Sequence, residues 1–224
     1  MLVQQNKLYG YDIPVAQCPA PPSGGFTSAG HFQKYSLAVL KCQRAAWAPV
    51  LQRMGVNLPA VKVSFINGAI KTPCGVVGHE TSFYCFDGRS GHYIFVHMSL
   101  LKQSNEWFRL RAFETLSHEY FHHVQRATGI FMASIRLGQN GLDVNEMSRR
   151  LELQTFCTAM RIVSATKANA FTRQDYDIIV EWSSHDQDAQ HGSAASNTYW
   201  WQRGLYMTKA AGCNTWTVNY AYVA

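Results

Sequence analysis

The chain has 224 residues, 47% hydrophobic and 13% aromatic, which supplies a sizeable core in one compact domain or two closely packed lobes and excludes a disordered protein. Only 15% are charged, and the net charge of +6 includes no run of five or six basic residues, which argues against a nucleic-acid partner. No apolar run approaches the ~18 residues of a membrane span, and Met1 to Lys7 are mostly polar, so no signal peptide is visible.

Residues 1–26 carry Pro14, Pro19, Pro21, Pro22, Gly24 and Gly25 and read as an irregular arm, with residues 27–224 as a single domain. From Thr27, the expected N-cap, to Gly55, apolar residues recur at helical spacing, and Pro49 predicts a break or kink in that run. Residues 61–66 largely alternate apolar and polar side chains and predict a half-buried strand. Two more strands, 82–86 and 92–97, flank Asp87-Gly88 and Gly91, which is hairpin chemistry. A long helix is expected from Ser104 or Asn105 to Gly129. Asp143 and Glu146 have the spacing of a capping box opening a helix over 144–166, and Thr172 to Asp175 opens another that runs to about Ser184. After a polar loop from Asp186 to Gly192, the aromatic-rich stretch 196–209 is expected to be helical. The fold class is therefore α+β, mainly helical, with a small and mostly antiparallel sheet before the 104–129 helix.

Cysteines 18, 42, 74, 85, 157 and 213 contain no C-x-x-C pair, and their even number points to disulfides and an oxidising, extracytoplasmic compartment. Fifteen pairings are formally open at this level. Secretion would place an export segment, or a membrane anchor, upstream of residue 1.

The chemistry concentrates in His118-Glu119-Tyr120-Phe121-His122, an H-E-x-x-H pattern inside the long helix. His118 and His122 project about 40° apart, one turn from each other, and can share a metal ion, while His123 points about 140° away from His118. The bland alternative is an amphipathic core helix whose histidines simply find hydrogen-bond partners. A catalytic zinc site needs a third protein ligand. Gln125 and Thr128 occupy the positions where H-E-x-x-H-x-x-G-x-x-H requires Gly and His, which excludes that class. Glu152 stands mid-helix in Leu151-Glu152-Leu153, where a carboxylate is costly to bury without a partner. The competing readings are a surface Glu152 paired with Arg149, or a ligand role for His185 or His191. Glu146 reads as a capping residue.

Thr72-Pro73-Cys74-Gly75, Phe83-Tyr84-Cys85, the segment His118 to Gln125, Glu152-Leu153-Gln154 with Cys157, His191-Gly192-Ser193 and Cys213-Asn214-Thr215-Trp216 together resemble the bacterial putative neutral zinc metallopeptidase family. The resemblance implies a zincin-like fold and a gluzincin-like site with Zn2+ on His118, His122 and Glu152. It also implies extracytoplasmic placement and the disulfides Cys74 to Cys85, Cys157 to Cys213 and Cys18 to Cys42. By analogy with zincins, Ser82 to Cys85 is the edge strand that takes substrate backbone, with Ser82, Phe83 and Tyr84 lining the bound peptide. The chain departs from the family pattern at Thr155-Phe156, where Ala-Asp is usual and the Asp orients a zinc-bound imidazole, and at Ser196-Asn197, where Gln-Arg is usual.

The expected activity is hydrolysis of peptide bonds, in a peptide or protein substrate, by a zinc-activated water with Glu119 as general base and His191 as a donor to the oxyanion. The alternative is a secreted zinc-binding or regulatory domain that has lost turnover, a reading that Phe156 favours.

Overall fold

The computed structural model describes residues 2–15, 17–77, 81–185 and 187–224, with Val77 described by its backbone alone. Met1 and Ala16 of the arm, and Asp186 at the start of the polar loop, lie outside the described residues. The elements in chain order are α1 (Ala29–Arg53), β1 (Lys62–Ile66), β2 (Ile70–Thr72), β3 (Gly75–Val77), β4 (Phe83–Phe86), β5 (His92–His97), α2 (Ser99–Gln103), α3 (Arg111–Ala127), α4 (Ile130–Gln139), α5 (Val144–Ala165), α6 (Arg173–His185) and α7 (Ala194–Tyr206). The result is the expected zincin-like α+β fold, mainly helical, with a small sheet that is mixed rather than mostly antiparallel, because β1 joins β5 in parallel.

That sheet has the order β1-β5-β4, with β1 parallel and β4 antiparallel to the central β5. β4 is therefore an edge strand. β2 and β3 form a separate antiparallel hairpin that the sequence pattern did not reveal, because strands of three residues are too short to display a period. The Cys74–Cys85 disulfide ties this hairpin to the edge strand.

α3 is the axis of the molecule. Every residue from Arg111 to Gln125 is buried, because α1 and the sheet cover one side of the helix while α5 covers the other. On the α1 side, the Gln43 amide donates to Ser117 Oγ, and Ser117 donates to the Phe113 carbonyl. α5 in turn packs on α7, where Gly204 is required: a Cβ there would run into the Cys157 carbonyl. Cys157–Cys213 locks the same region, and closing its 56-residue separation contributes about 4 kcal/mol on the chain-entropy account. Cys18–Cys42 fastens the arm to α1. The arm is nonetheless part of the main core, since Val3, Leu8, Ile13 and Cys18 are buried in it.

Several expected boundaries move. α1 is capped by Ser28, whose hydroxyl accepts from His31 N, rather than by Thr27, which bonds the His31 ring instead. Pro49 does not break α1. Its missing N–H orphans only the Ala45 carbonyl, and Ala45 is exposed to water that can satisfy it. α3 starts at Arg111 because Asn105 caps a turn, accepting from Trp107 N and Phe108 N, and a separate short helix precedes it. α4 was not expected. The Asp143 cap is present, but Glu146 leaves the box to pair with Arg150 at 2.8 Å.

Candidate metal centre

α3 and α5 bring three ligand-type atoms together. His118 Nε2, His122 Nε2 and Glu152 Oε2 stand 3.1 Å from one another on all three edges of a triangle. Each imidazole Nε2 presents either one proton or one lone pair, so protons alone satisfy at most two of those edges. One cation satisfies all three. Donors about 2.0–2.1 Å from a tetrahedral zinc lie roughly 3.3–3.4 Å apart, so the triangle needs to open by only a few tenths of an ångström to hold the ion. The donor set of two imidazoles and one carboxylate also suits zinc. Among the described residues this is the one His/Cys/Asp/Glu cluster of that kind.

Two of the alternatives to a Glu152 ligand lose support. Arg149 is turned from it, donating to the carbonyls of Val223 and Ala189. His185 is exposed at the end of α6. His123 serves the core: its Nε2 meets the Pro59 carbonyl at 3.1 Å, and burial lowers its pKa to about 4.

The two histidines of the triangle are held differently. His122 Nδ1 bonds Gln125 Oε1 at 2.9 Å, whereas His118 Nδ1 is buried with no hydrogen-bond partner among the described residues. Phe156 stands against the His118 ring instead, centroid to centroid 5.0 Å, and stacks on Trp201 at 5.2 Å. Among the described residues, no carboxylate takes the place of the Asp that the family pattern has there. Gln125, read from the sequence only as breaking a longer motif, is the outer partner that sequence reasoning missed. Its spacing of three residues from His122 on one helix face was the available signal.

Burial opposes charge on His122, but the Glu152 carboxylate beside it prevails and raises its pKa to about 9. The same pairing overcomes burial at Glu152 and holds its carboxyl well below the usual range. His122 therefore carries a proton at pH 7 that an arriving ion must displace. Calorimetric zinc titrations should show about one proton released at pH 7 and an affinity that climbs about tenfold per pH unit up to about pH 9. An affinity flat between pH 7 and 9 would contradict this assignment.

Beside the triangle runs a cleft of ≈ 710 Å³ that Glu119, Glu152, Phe156 and His191 line together with Ser82 and Tyr84 of the β4 segment. Burial raises the pKa of the Glu119 carboxyl, against the smaller lowering pull of the Tyr84 backbone N–H on β4. The three β4-segment side chains are committed elsewhere. Ser82 Oγ accepts from His97 N, Phe83 stacks on Phe95 at 4.8 Å, and the Tyr84 hydroxyl meets His92 Nδ1 at 2.7 Å. The strand thus offers the cleft main chain more than side chain. His191 stacks on Phe156 at 6.3 Å, and its Nδ1 meets Asp188 Oδ2 at 2.8 Å. Asp188 is a second residue that sequence reasoning missed; its hydrogen bond from His191 outweighs burial and lowers its pKa.

Residues 17–216 match the sequence profile of the family described as "Putative neutral zinc metallopeptidase". The chain is also 24% identical over 214 residues to the uncharacterized protein YpfJ of Escherichia coli strain K12, covering 81% of this chain and 70% of that protein. The same figures hold for uncharacterized protein YpfJ of Escherichia coli O6:H1. No solved structure matches significantly.

Proposed function

Because the chain belongs to the putative neutral zinc metallopeptidase family, we propose that it is an extracytoplasmic zinc-dependent peptidase whose metal is held by His118, His122 and Glu152. The observation that carries this reading is the 3.1 Å donor triangle set beside an open strand edge. Zinc held there would supply an activated water, its pKa lowered toward ~7, and would polarise the substrate carbonyl. Glu119 accepts the proton on its carboxylate as the peptide carbonyl is attacked and returns it to the leaving amine; its raised pKa suits both tasks. The substrate backbone adds along β4 as an extra antiparallel strand, which places its carbonyl against the cleft floor. His191, steadied by Asp188, donates to the oxyanion that develops. Three disulfides fit an oxidising compartment, and no described helix is long and apolar enough to cross a membrane. The substrate is a peptide or protein. Cleavage of a mixed peptide library by the zinc-loaded chain, abolished by a chelator and restored by zinc, tests the proposal; a fully loaded chain that cleaves nothing overturns it.

One observation favours a second reading, a zinc-binding domain with weakened turnover: the orphaned His118 Nδ1 facing Phe156. Outer partners typically contribute 10- to 100-fold in metal affinity or activity. Phe156→Asp should therefore tighten zinc binding about tenfold by giving that N–H an acceptor. The same change removes the packing on Trp201 and should lower metal-free stability by about 3 kcal/mol, as large-to-small core changes do. Chelator competition and thermal melts read the two effects separately. Unchanged or weaker zinc affinity would show that His118 needs no such partner.

A further inference from the structure

The hydrogen bonding of His122 does not stop at Gln125. The Gln125 Nε2 amide donates to the Leu151 carbonyl at 3.1 Å and to Gln154 Oε1 at 2.9 Å. A backbone carbonyl only accepts, so the Leu151 contact fixes which end of this amide is nitrogen. Oε1 then faces His122, and it is His122 Nδ1 that carries the proton of their 2.9 Å bond. The same logic runs outward. With its oxygen taken by Gln125, Gln154 donates from Nε2 to the Tyr9 hydroxyl at 3.0 Å, and Tyr9 passes its own proton to the Val3 carbonyl at 2.7 Å. The chain from α3 to the arm has every proton assigned, and it is pinned on main-chain carbonyls at Leu151 and Val3. Gln125 and Gln154 are 0% and 1% exposed, so no water competes for these bonds.

We propose that this relay holds His122 in the tautomer that leaves Nε2 open to a metal. Gln125 is the positioning residue, and Tyr9 of the N-terminal arm is its outer anchor. The arm is then part of the metal centre rather than a tether, an inference that rests on the proposed ligand set. His118 is the internal contrast, with no partner for its Nδ1 among the described residues, so His122 is the better-oriented ligand of the pair.

The test uses zinc-loaded, 15N-labelled protein and two readouts besides activity: zinc affinity by chelator competition, and the His122 Nδ1–H resonance. The native chain should show that proton downfield and slow to exchange. Gln125→Leu should abolish its protection and weaken zinc binding about 10- to 100-fold. Tyr9→Phe should keep the resonance, shift it upfield, and weaken binding less, by under about tenfold. Gln43→Leu is the control for a merely structural effect, since Gln43 is an equally buried amide bonded to Ser117 on the α1 side of α3. It should alter stability and leave both readouts in place. Native zinc affinity in Gln125→Leu, or an equal loss in Gln43→Leu, overturns the relay. A native chain that takes up no zinc overturns the ligand set beneath it.

Discussion

Glu119→Gln is expected to lower peptide hydrolysis by about 10²- to 10⁴-fold while leaving a full complement of zinc. The amide keeps the shape of the carboxylate and loses the ability to accept a proton during attack and give it back. Glu119 is not a corner of the donor triangle, so the ion should stay. Parallel turnover in the native chain and the variant would mean that the native chain is a zinc-binding module, and joint loss of zinc and turnover would place Glu119 in the metal shell.

Glu152→Gln attacks the triangle itself and should weaken zinc by more than the roughly 100-fold that an outer partner commands. The carboxylate supplies both a ligand oxygen and the negative charge facing two imidazoles. A second signature follows from that charge. Glu152 does most to lift His122 to about 9 against burial, so in the variant, with only Glu119 and Gln125 left to oppose burial, the His122 pKa falls. The proton release that accompanies zinc binding to the native chain at pH 7 should then be smaller. A variant that binds zinc as tightly as the native chain, with the same proton release, would remove Glu152 from the site.

The site was more legible than the boundaries around it, for physical reasons. His118 and His122 share a face because helix period alone dictates it, and the Asp143 cap fixed the start of the helix that carries Glu152. At Thr172 the local chemistry was sufficient: its hydroxyl accepts from Asp175 N, and Asp175 accepts from Thr172 N in return. Where tertiary context decides, sequence was silent. Nothing local says that Asn105 will cap a turn instead of a helix, or that the solvent side of α1 will accommodate Pro49. The Gln125 role needs Gln154 and Tyr9, residues 29 and 145 positions apart from their partners, to be in place. Phe156 was visible as a departure from the family pattern, whereas the orphaned His118 Nδ1 it leaves behind needed the packing of α5 on α3.

The most direct measurement is anomalous diffraction at the zinc edge from crystals of the zinc-loaded native chain. The geometry predicts a strong peak between α3 and α5, in bonding contact with Nε2 of His118, Nε2 of His122 and the Glu152 carboxylate. A zinc-loaded crystal with no peak there, or a peak with the Glu152 side chain turned out to solvent, would contradict the account.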